Sequence, residues 1–412
     1  MAVLRVTTVL LLVVVMTSKA VEFPVMNVPQ LIQYWGYPVE SHWITTSDGY
    51  ILNYHRIPYG SSEKGHPRSL VRGKGHEGRQ QQSKPVMFLQ HGLFGSSARF
   101  TAGPPEKSLA FIMADAGYDV WVANTRGNTY CRNHTTLDPD VDKEEFWNFD
   151  WEVAGLEDLQ AGFSYVLETT GQSKLIYVGH SMGTSEFLAA SAVQPEIQVM
   201  VSAAFLLAPP SYFDYNTGIL VELAQYVDEL EGAFEFLDLW ELFPDFPLTS
   251  EVGHDLCDEI HLEENYDTCM SLADSIVGIS PGNLNNSMLP IYFDSWPEGS
   301  SVKCLVHYGQ LINSEHFFGR YDYGDANMEH YGQASPPAYD LSKITLPIHI
   351  FYGDGDTLVD DMDVEALASN LPNVKLLYKV PFEGWTHNDM CYAIQAPELV
   401  YSVIMENAAK YV

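Results

Sequence analysis

Basic residues are scarce in this chain. Its 412 residues contain 21 Lys and Arg against 54 Asp and Glu, which gives a formal net charge of −33. A strongly acidic protein repels other polyanions, so the composition argues against nucleic acid and anionic membrane surfaces as partners. An acidic compartment would relieve the self-repulsion, but a solubilising surface charge explains the same composition and requires no special pH.

Cysteine is also scarce, with five residues in the whole chain: Cys131, Cys257, Cys269, Cys304 and Cys391. This number excludes a fold built on a disulfide scaffold and leaves room for occasional bridges in a secreted protein. Cys257 and Cys269 are close in sequence within a polar, acidic region, and we predict that they pair. The odd count leaves at least one thiol free or paired between chains.

Long apolar runs are absent. The longest is about residues 6–16, shorter than the ~20 residues that a membrane-spanning helix needs. Arg5 precedes this run, and Ser18 and Ala20 occupy the −3 and −1 positions of a cleavage site. The pattern predicts a secretory signal peptide over residues 1–20, with a membrane anchor as the alternative.

The predicted mature chain begins at about Val21. Losing Arg5 and Lys19, two positive charges, changes the formal net charge from −33 to −35. Asn133 and Asn285 lie in N-glycosylation sequons, which are usable in the secretory pathway if exposed. We therefore expect a secreted glycoprotein without a transmembrane segment, with the lysosomal lumen as the alternative destination.

Apolar runs that alternate with amphipathic stretches dominate the chain from residue 85 onward. Buried runs separated by helical segments such as Trp151–Thr170 predict an α/β fold with a mainly parallel sheet and helices on both faces. The runs cover residues 85–90, 118–123, 174–178, 201–208, 346–353 and 374–380.

Two segments interrupt this alternation. Residues 61–84 are polar and carry six of the Lys and Arg residues, which predicts an exposed loop, or alternatively a basic binding patch. Between about 211 and 335 the alternation of strands and helices stops, which predicts a mostly helical cap above the sheet. The expected core is thus formed by residues 21–210 and 336–412.

The stretch "KLIYVGHSMGTSEF" places Ser181 between Gly179 and Gly183. The G-x-S-x-G pattern alone is weak evidence, since glycine and serine are common. Here an apolar strand precedes it and a plausible helix follows, as in a nucleophile elbow, where a tight turn exposes a serine hydroxyl at a helix N-terminus. Ser181 is therefore the candidate nucleophile.

A serine nucleophile needs a base and an orienting carboxylate, which follow it in the order acid, then histidine, in this kind of fold. His387 follows the last predicted strand and is the candidate base. Four carboxylates follow the preceding strand, and spacing alone does not choose between them: Asp354, Asp356, Asp360 and Asp361.

The developing oxyanion needs two backbone donors, one after the nucleophile and one from an early loop. Met182 and Leu93 supply the candidate N–H groups, Leu93 from the loop "FLQHGLFGSS". His180, beside the nucleophile, is expected to point away from it and to play a structural part.

Four segments carry a resemblance to a known family: "LIQYWGYPVESHWITTSDGYILNYHRIPYG", "VMFLQHGLFGSS", "SLAFIMADAGYDVWVANTRGNTYCRNH" and "LIYVGHSMGT". They closely resemble the acid lipase family of α/β-hydrolases, to which gastric and lysosomal acid lipases belong. The resemblance extends from about Val28 to Met405 and is weakest in the predicted cap and in the loop at 61–84.

The resemblance implies roles for individual residues. The family pattern G-x-x-D-x-L-x-D falls on Gly353, Asp356, Leu358 and Asp360, which implies that Asp356 orients the base. The family's H-x-D element falls on His387 and Asp389. Leu93 and Met182 fall on the two oxyanion-hole positions, although glutamine is usual at the second. The family's cap disulfide corresponds to Cys257–Cys269.

The activity that the resemblance implies is hydrolysis of triacylglycerols or sterol esters at an oil–water or lipoprotein surface, through an acyl-enzyme and without a cofactor. Alternatives that keep the same fold are a carboxylesterase for small soluble esters, an acyltransferase, and a lipid-binding protein without catalysis. A metal site at His254, Cys257 and His261 is a poor candidate, because a disulfide is expected at Cys257.

Overall fold

The computed structural model describes residues 26–61, 84–217, 219–243, 282–285 and 288–412. The predicted signal peptide and most of the loop at 61–84 lie outside these residues. So do Cys257 and Cys269, the predicted disulfide pair, and the weak metal candidates His254 and His261.

One nine-stranded sheet organises the described residues, and a two-stranded sheet joins β8 to β9. The central strands are buried along their whole length, as expected for parallel strands covered on both faces. The strands are β1 Glu40–Thr45, β2 Tyr50–Ile57, β3 Val86–Gln90, β4 Asp119–Val122, β5 Asn133–His134, β6 Leu175–His180, β7 Val201–Leu207, β8 Glu241–Leu242, β9 Ser300–Ser301, β10 Ile348–Tyr352 and β11 Val374–Lys379.

The strand order is β1-β2-β4-β3-β6-β7-β10-β11, and β5 pairs with β2. From β4 to β11 every neighbouring pair is parallel, so the predicted mainly parallel sheet is confirmed. β1 and β2 add an antiparallel end that the apolar pattern after residue 85 does not reveal. The carboxyl ends of the parallel strands therefore meet along one edge of the sheet.

Helices connect these strands and flank the sheet. They are α1 Val28–Tyr34, α2 Leu109–Asp115, α3 Lys143–Phe146, α4 Trp151–Val153, α5 Gln160–Thr170, α6 Met182–Val193, α7 Glu196–Val199, α8 Ile219–Ala224, α9 Val227–Phe236, α10 Leu289–Asp294, α11 Val302–Ile312, α12 Asn327–Tyr331, α13 Asp361–Asn370, α14 Asp389–Tyr392 and α15 Ser402–Ala408. A π-helical stretch, Ala154–Leu159, joins α4 to α5, so the predicted helical segment over 151–170 is present with a local widening.

Side chains that alternate along each strand enter two different cores. On β3, Leu89 joins the cluster that contains α2 and α15, while Phe88 joins the cluster that contains α5 and α6. This alternation follows from the two-residue period of a strand. Helices therefore cover both faces of the sheet, as the sequence predicts.

The segment between 211 and 335 contributes α8 to α12 and the β8–β9 pair to the described structure. Val227 of α9 packs against Val302 and Val306 of α11 in a small separate cluster. Phe236, at the end of α9, is 89% exposed. In the described parts of the chain, no helix combines the length and apolar character needed to cross a bilayer.

We predict opposite effects for two glycine-to-alanine substitutions. At Gly155, in the π-helical stretch, a Cβ would lie 2.4 Å from the backbone oxygen of Glu186 in α6. Gly155→Ala should therefore force α6 away and lower the free energy of unfolding by about 1–3 kcal/mol.

Gly232 is the matched control, because it lies in the exposed part of α9 and a Cβ there would meet nothing within 4 Å. Gly232→Ala should raise the free energy of unfolding by up to about 1 kcal/mol. Urea denaturation of both variants measures the difference, and equal stabilities would contradict the proposed close packing at Gly155.

Candidate active site

Ser181 occupies a strained turn between β6 and α6. Its φ of 54° and ψ of −126° are unusual for a residue other than glycine. Its N–H donates to the carbonyl of Leu207 at 3.0 Å, and its own carbonyl accepts from the N–H and hydroxyl of Thr184, both at 2.7 Å. The surrounding hydrogen bonds thus hold the backbone in this conformation.

Glycines let the neighbouring loop approach this turn. A Cβ on Gly92 would lie 2.6 Å from Cβ of Ser181. A Cβ on Gly183 would lie 2.8 Å from the backbone oxygens of both Gln90 and His91. The turn and the loop after β3 therefore pack backbone against backbone, which a larger side chain at either glycine would prevent.

His387 and Asp356 form a buried pair at the same edge of the sheet. Nδ1 of His387 lies 2.8 Å from Oδ2 of Asp356, whose side chain is 1% exposed. The other carboxylate oxygen accepts from the N–H groups of Leu358 at 2.8 Å and Val359 at 3.1 Å. These bonds place a proton on Nδ1 of His387 and leave Nε2 available as a base.

The remaining three candidate acids have other partners. Oδ1 of Asp354 accepts from the N–H of Gly384 at 2.7 Å, and Oδ1 of Asp360 caps α13 by accepting from the N–H of Met362 at 2.8 Å. Asp361 pairs with Nζ of Lys379 at 2.6 Å. Of the four carboxylates left open by spacing, the structure brings Asp356 to the imidazole.

Close backbone packing also joins the loop after β10, which carries Asp356, to the loop after β11, which carries His387 and is called the histidine loop below. A Cβ on Gly353 would lie 2.3 Å from the backbone oxygen of Trp385, and one on Gly355 would lie 2.4 Å from the carbonyl carbon of Gly384. Both glycines are therefore needed where the two loops touch.

His180 supports the histidine loop. Its Nε2 donates to the carbonyl of His387 at 3.0 Å, and the two rings lie 5.0 Å apart between centroids. Burial holds the pKa of His180 well below its usual value, because water cannot solvate the charged ring. His180 is therefore neutral and structural, while His387 has the carboxylate partner.

The two candidate oxyanion donors flank Ser181. Met182 begins α6 and is 2% exposed, and Leu93 follows the tight approach at Gly92. Phe94, the next residue, packs edge-on against Phe243 with ring centroids 4.9 Å apart. The segment that includes β8 thus contacts the loop after β3, residues 91–96, directly. This loop carries the candidate donor Leu93 and is called the oxyanion loop below.

Two family models match this sequence. A model of a partial α/β-hydrolase lipase region matches residues 28–103, and a model of the α/β-hydrolase fold matches residues 85–389. The chain is 35% identical over 388 residues to gastric triacylglycerol lipase of Bos taurus, covering 93% of this chain and 91% of that protein. It is 34% identical over 395 residues to lysosomal acid lipase/cholesteryl ester hydrolase of Macaca fascicularis, covering 94% and 91%.

The chain belongs to the acid lipase family. It is therefore an ester hydrolase of the α/β-hydrolase fold, and the predicted family and fold class are confirmed. Among solved structures, the crystal structure of an esterase from Rhodococcus aligns with a TM-score of 0.50 at 15% identity, covering 90% of this chain and 99% of the esterase. That similarity concerns the fold alone.

Sequence reasoning missed one supporting residue of this acid lipase. Arg99 is 5% exposed, its Nη1 donates to Oδ1 of Asn388 at 2.7 Å, and its guanidinium lies 4.6 Å from the ring centroid of Tyr392. It ties the segment after the oxyanion loop to the residue that follows His387. A single arginine in a mixed stretch gives no sequence signal for such a contact.

Asp389, the second residue of the family's H-x-D element, braces the same loop. Its Oδ2 accepts from the N–H of Thr386 at 2.9 Å, so the carboxylate closes a short turn around His387. In the described part of the chain, no group of three or more His, Cys, Asp or Glu side chains is placed to hold a metal ion.

We predict that Asp356→Asn lowers kcat for ester hydrolysis by ~10⁴-fold, because an amide in this position favours the wrong tautomer of the base. Asp360→Asn is the matched control, since asparagine caps a helix about as well as aspartate and should leave activity within about twofold. Steady-state kinetics on a soluble ester, with circular dichroism to verify folding, measures both. Similar losses in the two variants would show that Asp356 is not the orienting acid.

Proposed function

We propose that this acid lipase hydrolyses the ester bonds of neutral lipids, triacylglycerols and also sterol esters, by a Ser181–His387–Asp356 mechanism. The buried His387–Asp356 pair at the carboxyl edge of the sheet, 2.8 Å between Nδ1 and Oδ2, carries the mechanistic part of the proposal. The substrate class is supported by the 34–35% identity to a triacylglycerol lipase and a cholesteryl ester hydrolase.

The first half of the reaction forms an acyl-enzyme. Oγ of Ser181 attacks the ester carbonyl while Nε2 of His387 takes the hydroxyl proton, and Asp356 stabilises the resulting imidazolium. The N–H groups of Leu93 and Met182 donate to the oxyanion of the tetrahedral intermediate. The intermediate collapses, the alcohol leaves with the proton from His387, and Ser181 holds the acyl group.

The second half repeats these steps with water. Nε2 of His387 takes a proton from the attacking water, the same two N–H groups stabilise the second oxyanion, and the fatty acid leaves as Ser181 recovers its proton. No described residue hydrogen-bonds to Nε2 of His387, although this atom is buried. The acceptor is thus available for the serine hydroxyl or for water.

We propose that residues 211–335 form the cap that controls access of lipid to this site, with residues 21–210 and 336–412 as the core. The contact between Phe243 and Phe94 supports this division, because it links the segment directly to the oxyanion loop. Phe236 and Leu237, 89% and 60% exposed at the end of α9, offer apolar surface next to carboxylates. Such surface suits contact with a lipid phase rather than with water alone.

We further propose that the chain enters the secretory pathway through the predicted signal peptide at 1–20, to be secreted or delivered to the lysosomal lumen. Asn133 lies exposed on β5, which supports its use as a glycosylation site, and Asn285 is half-buried. A Cys257–Cys269 bridge fits the same compartment. Cys131, Cys304 and Cys391 are buried as free thiols.

The decisive experiment compares the purified mature protein with its Ser181→Ala variant on emulsified trioleoylglycerol, a cholesteryl ester and a soluble short-chain ester, from acidic to alkaline pH. Ser181→Ala should lower hydrolysis at least ~10³-fold, a lower bound for the loss of a triad member. Ser191→Ala is the control, because its buried hydroxyl lies in the same helix without a hydrogen-bond partner in the described structure.

Serine-dependent turnover of the emulsified lipids would support the proposal and identify the working pH. Turnover of the soluble ester alone would favour a carboxylesterase. Near-parent activity in Ser181→Ala would disprove the serine mechanism, and no activity on any ester would favour a lipid-binding role.

A further inference from the structure

His91 precedes the oxyanion loop and is 2% exposed. Its Nδ1 lies 2.8 Å from the carbonyl oxygen of Gly92, the next residue. The N–H of Gly95 donates to the same oxygen at 3.1 Å. The Gly92 carbonyl is therefore held by two hydrogen bonds in a loop that contains no regular secondary structure.

Only one neutral tautomer of His91 fits its neighbours. Nε2 faces two donors, the backbone N–H of Thr125 at 3.1 Å and Nδ2 of Asn128 at 3.2 Å. A backbone N–H cannot accept a hydrogen bond, so Nε2 must be the unprotonated acceptor and Nδ1 must carry the proton. His91 consequently donates to Gly92.

This carbonyl belongs to the same peptide unit as the N–H of Leu93. In a planar trans peptide the C=O and the following N–H point in opposite directions. Fixing the Gly92 oxygen on one side therefore fixes the direction of the Leu93 N–H on the other. From this geometry we propose that His91 is a positioning residue: its Nδ1–H sets the orientation of the Leu93 oxyanion donor.

A polar network connects His91 to the helix that carries the nucleophile. Nε2 of Gln90 donates to Oγ1 of Thr125 at 2.6 Å, and this hydroxyl donates to Oε1 of Glu186 in α6 at 3.3 Å. The Thr125 N–H in turn donates to His91. Burial raises the pKa of Glu186 well above its usual value, so the network carries no buried anion there.

The surroundings of His91 keep its ring neutral, with the proton on Nδ1, down to acidic pH. Burial lowers the pKa of His91 to about 4, outweighing the hydrogen bond to Gly92, and the charge of Arg99 acts in the same direction. Protonated His91 would lose the acceptor that meets Thr125 and Asn128. Above the pKa of His91, the ring therefore stays neutral and the orientation of the Leu93 N–H is kept.

Two amide substitutions separate the two nitrogens of His91. In His91→Asn the amide nitrogen can occupy the place of Nδ1 and donate to Gly92, but it cannot reach Thr125. In His91→Gln the side chain can reach Thr125 and Asn128, but it no longer donates to Gly92. His91→Gln loses the single bond to Gly92 and His91→Asn loses the two bonds at Nε2, so a purely structural role for His91 predicts that His91→Asn is impaired at least as much as His91→Gln.

The proposal, which rests on the proposed serine mechanism, predicts different activities. On a soluble short-chain ester, kcat of His91→Gln should fall ~10²-fold with KM changed less than about threefold, the scale of weakening one oxyanion donor. His91→Asn should lose less than about tenfold. Inhibition by an alkyl trifluoromethyl ketone, whose adduct with Ser181 is a tetrahedral oxyanion, should weaken in parallel with kcat.

His349→Gln controls for the loss of a buried imidazole. His349 is 2% exposed on β10, stacks on Phe205 at 4.5 Å between centroids, and hydrogen-bonds through Nε2 to Tyr411 at 3.1 Å. This variant should lower the melting temperature with kcat within about twofold of the parent, as for a substitution away from the reacting groups.

Gly95→Ala gives an independent test if the His91 variants fail to fold. A Cβ there would lie 2.9 Å from the Gly92 oxygen and 3.1 Å from Nδ1 of His91, so it disturbs the same bond without changing the imidazole. Its kcat should fall while KM stays near the parent value.

Equal kcat values for His91→Gln and His91→Asn, or an unchanged kcat in Gly95→Ala, would overturn the role of His91. So would unchanged inhibition of His91→Gln by the ketone. A parent protein whose activity does not depend on Ser181 would instead overturn the serine mechanism itself, and the two failures are therefore distinguishable.

Discussion

The strained backbone at Ser181 is the constraint on which the site depends. A residue with a side chain at φ 54° is stable only where its surroundings fix it. Here β7 supplies a carbonyl acceptor for the Ser181 N–H, and α6 starts immediately afterwards. The same turn admits the loop after β3 to within contact of the serine Cβ, because Gly92 has no side chain. Ser181 and the loop after β3 are thus placed by one piece of backbone geometry.

Three buried histidines around this turn differ in their hydrogen-bond partners. His91 and His180 donate to backbone carbonyls, and burial holds the pKa of each below its usual value, which favours a neutral ring in both. His387 alone among them has a carboxylate partner, Asp356, which can stabilise a charged ring. In a site that excludes water, a histidine's partner determines whether it can act as a base or serves only to hold a loop.

Much of this arrangement is visible in the sequence because it depends on local patterns. Apolar runs identify the parallel strands, and a serine between two glycines at the junction of strand and helix identifies the turn. The antiparallel pair β1–β2 is less evident, since β1 is mostly exposed and both strands lie before the regular alternation begins. The carboxylate partner of His387 is a harder case. Four carboxylates follow β10 within nine residues, and only the folding of the loop against Trp385 and Gly384 separates Asp356 from Asp354, Asp360 and Asp361.

The sequence by itself determined the fold class and the family, and it predicted the candidate nucleophile and the chain order of the candidate triad, because periodicity, glycine spacing and chain order are properties of neighbouring residues. Tertiary structure alone decided which nitrogen of each histidine carries a proton, that Arg99 braces the histidine loop through Asn388, and that the Gly92 carbonyl is held by His91. Those features depend on hydrogen bonds and on burial. Both arise only when segments far apart in the chain are packed together and water is excluded from between them.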